Sequence, residues 1–367
     1  MAPRILLLGD YSNCHRTLAT GLRRLGCDVT VASDGSSYVA CERDIDIHRR
    51  KGLIGGAIHW LDMHRRLRTQ LTGFDIVAIH DVNFLSLRPS RLYGLFDVLK
   101  KNNGRVFLTA MSTDAAYIDM VTPPSPLRYS EWYVGKFLNP AADRAELDAW
   151  HARDLVDYQN YVFDNIDGAV SVLYEYHLAM LARLGEEKCA YGGIPVDLDD
   201  IPYTPLTTIP RRVRVFLGRD RNRIRLKGSD ILEKAARNAL WRHPGKASFN
   251  LIENVPLPVF RAAMADSHIV LDQIYSYTPA TTALMALAQG KTVVSGAEPE
   301  YYSFIGENDN RPVVNAPLDV DELAQLIEDL ILHPETLAAR GRDGRDFVAA
   351  HNDCTLVAKR FLDFWTR

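Results

Sequence analysis

The chain has 367 residues, 43 Lys plus Arg against 46 Asp plus Glu, a formal net charge of −3 and 47% hydrophobic residues. A single hydrophobic core stops growing at roughly 250–300 residues, so this length predicts two domains. The composition excludes disordered, fibrous and disulfide-scaffold classes, and the near-neutral charge argues against a dedicated nucleic-acid binder.

Ile5–Leu8 is a continuous apolar run ending at Gly9, as in a strand buried on both faces of a parallel sheet. A helix pattern follows at Leu18, Leu22 and Leu25, stopped by Gly26, and Val29–Ala32 is the next strand. These make a strand–helix–strand unit of about 30 residues. The theme continues with strand Ile76–Ile79, helix Leu92–Lys101 and strand Val106–Thr109. A helix around Asp148–Phe163, strand Gly168–Val172 and a helix from Tyr174 to Leu184 complete the first half.

Gly192–Pro210 carries Pro195, Pro202, Pro205 and Pro210 without a helical period, and reads as an interdomain linker. The alternation then restarts: strand Val213–Leu217, helix Ser229–Leu240, strand Ser248–Ile252, helix Pro256–Ala265 and strand Ile269–Leu271. Helix Pro279–Gln289, strand Thr292–Ser295 and helices from Asp319 and Pro334 close the chain. The expected architecture is α/β: two Rossmann-like, doubly wound domains facing a cleft. Residues 1–193 form the first domain and 194–345 the second, and a final helix over 346–367 returns to the first.

The five cysteines (Cys14, Cys27, Cys41, Cys189, Cys354) are scattered without a C-x-x-C pair. That points to a reducing compartment and away from zinc. No apolar run reaches the ~18 residues of a membrane span, and the opening Met1–Gly9 reads as a strand rather than a signal peptide. A cytoplasmic protein is expected.

Loops after parallel strands are where such folds bind ligands. The loop Gly218–Gly228 lies between a strand and a helix, and from Arg211 to Lys227 there are eight basic residues against one acidic, Asp220. Converging guanidiniums and a lysine beside a helix N-terminus suit a diphosphate; a solvated basic loop is the plain alternative. The loop Asp272–Thr278 leads into the next helix with Thr278-Pro279 as its cap and first turn. In the first half, Gly9-Asp10-Tyr11-Ser12-Asn13-Cys14-His15 and Met111–Asp114 follow strands, so His15 and Asp114 are site candidates, with turn or cap roles as the alternative. His48–Leu71 mixes Arg49, Arg50, Lys51, Arg65, Arg66 and Arg68 with Ile54, Ile58, Trp60, Leu61 and Leu67. It suits either an anionic membrane surface or an amphipathic helix packed on the sheet.

Several segments together resemble the nucleotide-sugar-dependent, retaining glycosyltransferases of the GT-B fold that build lipopolysaccharide and other bacterial glycans. Ile5–Ser12 with Val29–Gly35 is similar to their opening unit, and Asn165–Tyr176 to their last N-domain strand. Phe216-Leu-Gly-Arg-Asp-Arg221 with Lys227-Gly-Ser-Asp-Ile-Leu232 resembles the donor loop. Met264–Ile274 and Ala283–Val294 resemble the segment that ends in the family's "LEAMAxGKPVV".

The resemblance implies that Arg219, Arg221 and Lys227 hold a donor diphosphate, without a metal or cofactor. It adds Tyr277, Thr278, Thr281, Thr282 and Glu298 on the donor side. It sets Asp114 and His15 at the acceptor and transferred sugar, with Gly9, Asp10, Tyr11, Ser12 and Asn13 beside the acceptor. The expected partners are a nucleotide-sugar donor and a glycan, lipid-linked or other hydroxyl acceptor, with peripheral contact at the inner membrane face. One departure stands out. Where the family carries its two donor glutamates, this chain has Met285 and Tyr277, and Thr278-Pro279-Ala280 replaces a glycine-rich turn. A glycosyltransferase and a catalytically silent nucleotide- or partner-binding module are therefore both open from the sequence.

Overall fold

Strand β1 (Arg4–Leu8), helix α1 (Cys14–Arg24) and β2 (Asp28–Ser33) open the fold, followed by β3 (Ile45–Asp46), α2 (Gly52–Thr69) and β4 (Ile76–Ile79). Next are α3 (Pro89–Lys101), β5 (Arg105–Ala110), α4 (Ala115–Val121) and a small hairpin of β6 (Tyr133–Val134) and β7 (Phe137–Leu138). Helices α5 (Arg144–Trp150) and α6 (Arg153–Asn165), β8 (Gly168–Ser171), α7 (Tyr174–Leu184) and β9 (Cys189–Tyr191) end the first half. The second begins with β10 (Val213–Arg219), α8 (Ile224–Lys227), α9 (Ser229–Arg242), β11 (Ala247–Glu253), α10 (Leu257–Ala265) and β12 (Ile269–Leu271). It continues with α11 (Thr281–Ala288), β13 (Thr292–Ser295), α12 (Pro299–Phe304), β14 (Val314–Asn315), α13 (Val320–Leu332), α14 (Leu337–His351) and α15 (Cys354–Trp365). This is a computed structural model, and it describes residues 2–35, 42–140 and 142–367; Cys41 lies outside the described residues.

The chain divides into two units: Met1–Met120 with Asp143–Pro195 and Cys354–Arg367, and Val121–Ala142 with Val196–Asp353. The first holds a seven-stranded sheet in the order β3-β2-β1-β4-β5-β8-β9, all parallel. The second holds a parallel five-stranded sheet in the order β11-β10-β12-β13-β14. The central strands are apolar on both faces because helices cover both: Ile5–Leu8, Val215–Leu217 and Ile269–Leu271 are all fully buried.

The stretch 192–212 carries no helix or strand between β9 and β10, as its prolines predict. Two segments behave differently from the sequence expectation. Val121–Ala142 clusters with the second unit although it lies within the first half of the chain. The return to the first unit starts at Cys354, not at 346, because α14 ends at His351 and α15 begins after a break at Asn352.

Helix α15 buries Cys354, Val357, Ala358, Phe361, Phe364 and Trp365, the inward stripe of an amphipathic helix. It lies along α1 so closely that a Cβ on Gly21 would sit 2.0 Å from the Cys354 carbonyl oxygen; only glycine admits that approach. Phe107 of β5 meets Phe364 at 5.9 Å and Trp365 at 6.1 Å between ring centroids. The Arg105 guanidinium donates to the Trp365 and Arg367 carbonyls at 2.8 and 2.9 Å. Among the described residues, no helix is long and apolar enough to cross a membrane.

Candidate functional site

In an open parallel sheet the neighbours of a strand wind away in opposite directions at one point, and the loops there splay apart to leave a crevice. In the second unit that point lies between β10 and β12. The loops after these strands are the Arg219–Gly228 segment and the Asp272–Ala280 segment. They are tied together: the Ile274 N–H donates to the Lys227 carbonyl at 3.0 Å. Gly228 turns left-handed (φ +65°), and a Cβ there would meet the Ile274 side chain at 2.3 Å.

The basic loop is less positive in three dimensions than along the chain. Arg219 has a side chain only 13% exposed and bonds Glu253 and Glu233, each at 2.6 Å. Two of its five N–H donors are thereby engaged in an ion-pair network that ties β10 to α9 and β11. Arg221 is 68% exposed; its Nε reaches Glu253 Oε2 at 3.1 Å and its N–H donates to Asn254 Oδ1 at 2.9 Å. The Arg219 and Arg221 guanidiniums hold the Glu253 carboxyl below the usual range. Lys227 Nζ lies 3.4 Å from Oδ1 of buried Asp272. Glu233, Glu253 and Asp272 come from other elements, so the charge count along the loop overstated its field.

The loop after β12 also departs from expectation. Thr278 does not cap the helix; α11 starts at Thr281 with extended Ala280 at its cap and no side-chain cap bond. Thr281 and Thr282 occupy its first turn, and Met285 is half-buried one turn on. Tyr277 is buried, and its hydroxyl accepts the Arg128 backbone N–H at 2.6 Å while the Arg128 guanidinium lies 5.2 Å over its ring. Glu298 accepts from the Tyr129 hydroxyl, from Arg128 and, at 2.9 Å, from Asn315 Nδ2. This carboxylate is thus held by Arg128, Tyr129 and Asn315. Arg128 also pairs with Glu300. These bonds explain why Val121–Ala142 joins the second unit.

In the first unit the corresponding point lies between β1 and β4. Gly9 is left-handed (φ +80°), and a Cβ there would fall 1.8 Å from His80 Nδ1. Ser12 and Asn13 are also left-handed (φ 52° and 66°), forming the tight turn into α1, and Tyr11 is exposed beside them. Asp10 is buried and accepts the His15 and Arg16 N–H groups, each at 3.1 Å. It caps α1, and burial pushes its carboxyl above the usual range.

His15 is fully buried, with Nδ1 2.7 Å from the Gly9 carbonyl and Nε2 2.9 Å from Thr109 Oγ1. A carbonyl only accepts, so Nδ1 carries the proton and Nε2 receives the threonine hydroxyl. Burial pushes this histidine down to about 3. A neutral ring with both nitrogens bonded inside the protein fastens the loop to β5.

Asp114 is buried at the start of α4, where Oδ1 accepts the Tyr117 N–H at 2.8 Å. Burial drives it up to about 7, against the pull of the backbone amides of Tyr117 and Ala116. It combines a capping position with a proton affinity suited to neutral pH.

Sequence reasoning passed over His80 and Asp81, which follow β4 across the switch point from the Gly9 loop. Asp81 accepts from the Ser112 hydroxyl and the Asn83 N–H, each at 2.6 Å. The signal was present: a His-Asp pair directly after the apolar run Ile76–Ile79 satisfies the rule that loops after strands bind. Among the described residues no group of three or more His, Cys, Asp or Glu side chains is arranged to hold a metal ion.

The chain matches no protein-family model, and a search of curated proteins finds no relative. Solved structures do match over almost the whole chain. Sucrose-phosphate synthase from Thermosynechococcus elongatus is 11% identical with a TM-score of 0.62, covering 99% of this chain and 98% of that one. HepE from Anabaena, in complex with UDP-glucose, is 10% identical with a TM-score of 0.61 and 99% coverage of both chains. A UDP-N-acetylglucosamine 2-epimerase is also similar, at 11% identity and a TM-score of 0.55 over 99% of this chain and 95% of that one. With two parallel doubly wound sheets and these full-length likenesses, the chain has the GT-B fold.

Proposed function

We propose that this protein transfers a sugar from a nucleotide diphosphate sugar to a hydroxyl acceptor, a glycan, lipid-linked or other. In that reaction the bond from the sugar C1 to the diphosphate breaks and a bond from C1 to the acceptor oxygen forms. The hydroxyl proton is released, and a nucleoside diphosphate leaves. The observation that carries this reading is the position of Lys227 beside the switch point of the second sheet, with Arg221 on the same loop toward the end of β11. There side-chain cations meet the charge of a leaving diphosphate, so the transfer needs no metal. The full-length likeness to a structure holding UDP-glucose supports the same assignment. Retention of configuration follows the sequence resemblance.

Thr278, Thr281 and Thr282 belong to the donor side in this reading, and the loop Gly9–Asn13 to the acceptor. Asp114, poised near 7, is the group assigned to the acceptor or the transferred sugar. Its replacement by Asn keeps a capping oxygen, so melting temperature should hold while turnover falls about a hundredfold, the scale of lost acid–base assistance. Parallel loss of stability and turnover would make Asp114 a cap alone.

A second reading, a nucleotide- or partner-binding module without turnover, is favoured by one observation. Tyr277, at a position where the resembled family carries a donor glutamate, is sealed beneath Arg128. Isothermal titration with UDP, GDP, ADP and CDP separates the outcomes. Binding of one diphosphate with release of sugar from its nucleotide sugar supports transfer. Binding without release supports the module, and no binding at all overturns both nucleotide assignments.

A further inference from the structure

The end of the second sheet where its strands begin carries a separate set of basic side chains. Arg214 is the second residue of β10, His268 directly precedes β12 and Lys291 directly precedes β13. These strands are parallel neighbours, so the three residues meet at one end of the sheet. The Arg219–Gly228 loop leaves the other end, about 16 Å away along β10. With Thr204, Leu206 and Leu337, the three residues line a pocket of about 240 Å³. Pockets for drug-sized ligands run to roughly 300–1,000 Å³, so the occupant of this one is small.

The side chains here are hydrogen-bond donors. Lys291 is 6% exposed, and its Nζ donates to the Thr204 and Ala265 carbonyls at 3.0 and 2.7 Å. An ammonium has three N–H groups, so one remains. His268 Nδ1 accepts the Arg214 backbone N–H at 3.0 Å, which sets the proton of the neutral ring on Nε2. Among the described residues nothing bonds that Nε2–H, although the residue is only 7% exposed. A buried donor without an acceptor is costly, and such groups are rare. Arg214 bonds the Asp266 carbonyl through Nε and pairs with its carboxylate at 3.4 Å, so part of its five-donor fork remains. Burial and then the Arg214 charge push Lys291 down to about 8. Burial, Arg214 and Lys291 push His268 down to about 4. At both groups the positive charge of Arg214 outweighs the opposing carboxylate of Asp266.

From this cationic, donor-lined pocket we infer a second ligand site, for the phosphate group of a small metabolite, at the end of the sheet remote from the donor loop. Lys291 and Arg214 supply the charge, and the His268 Nε2–H supplies a neutral donor. A tetrahedral phosphate takes donors from three strands at once, whereas a planar carboxylate suits a single fork. The pocket wall includes Thr204, whose N–H donates to the Gln289 carbonyl at 3.1 Å. Binding therefore braces the segment before β10 against the sheet and should raise the melting temperature. The inference goes beyond the transfer reading: the pocket shares no residue with the loops after β10 and β12, and its ligand needs no nucleotide.

The test is isothermal titration of the full chain with inorganic phosphate and with glycerol 3-phosphate at fixed ionic strength. One binding site that survives Lys227→Ala is expected, which separates this pocket from the donor loop. Arg214→Gln and Lys291→Met should each weaken it at least about tenfold. Tighter binding of glycerol 3-phosphate marks an organic monoester as the occupant, and equal binding marks the free ion. Lys291 also holds two carbonyls, so a second readout uses the unaltered chain. Trace acetic anhydride labels amines in their neutral form. Peptide mass spectrometry should show either phosphate compound slowing the labelling of Lys291 while exposed Lys234 labels as before. Phosphate compounds that give neither heat nor protection overturn the inference. So does binding that Lys227→Ala abolishes, or binding that Arg214→Gln leaves intact.

Discussion

Ending the chain at Asp353 is expected to unfold the first unit rather than loosen it. The cut removes α15, and with it Val357, Phe361, Phe364 and Trp365, all buried. Each such side chain contributes ~1.5–3 kcal/mol by burial. Their sum approaches the ~5–15 kcal/mol that holds a typical domain folded. The loss is not confined to the helix. Gly21 of α1 and Phe107 of β5 would face water where they now meet Cys354 and the two terminal aromatics. Trp365→Ala alone should cost ~3–5 kcal/mol, the range for emptying a large aromatic site in a core. Thermal unfolding followed by near-ultraviolet circular dichroism reads both variants. A truncated protein that melts where the intact one does would show that α15 is dispensable to the first unit.

The donor loop makes the second large prediction, and the ion pairs rank its members. Lys227→Ala should weaken binding of the preferred nucleoside diphosphate by ~1.5–3 kcal/mol, the range for hydrogen bonds to charged groups. Arg221→Ala should cost less, because its guanidinium is 68% exposed and screened by water, whereas the Lys227 side chain is 29% exposed. Arg219→Ala should behave differently again. It removes the guanidinium that joins Glu233 to Glu253 and leaves each with one arginine, Arg237 and Arg221, so its effect should appear in melting temperature, with nucleotide affinity changing only as far as Arg221 is displaced. Isothermal titration and thermal unfolding on the same three variants separate these effects. Equal affinity in wild type, Lys227→Ala and Arg221→Ala would return the loop to solvated surface.

The amino-acid sequence alone determined the two-sheet α/β architecture. Runs such as Ile5–Leu8 and Val215–Leu217 are apolar on both faces, and only a parallel sheet covered by helices makes such strands. Their alternation with helical periods is local and survives in any context. The same locality made the loops after β1, β5, β10 and β12 legible as candidate sites, and would have exposed His80 and Asp81 had the loop after β4 been weighed alike.

Tertiary structure decided which of those residues are available. His15 reads as a catalytic histidine until Gly9 and Thr109 close on its two nitrogens. Arg219 reads as a diphosphate ligand until Glu233 and Glu253 reach it from α9 and β11. Tyr277 and Glu298 read as donor contacts until Arg128 and Tyr129, some 150 residues earlier in the chain, lock onto them. Helix α2 shows the complement: its period predicts one buried stripe, and only the fold reveals that the apolar residues opposite it were left uncovered. Most of the deciding partners lie well beyond one helical turn, from fourteen residues for Glu233 to 169 for Tyr129 with Glu298. Periodicity and propensity report interactions within a few residues, whereas a side chain's charge, burial and free hydrogen-bonding capacity depend on whatever the folded backbone brings beside it.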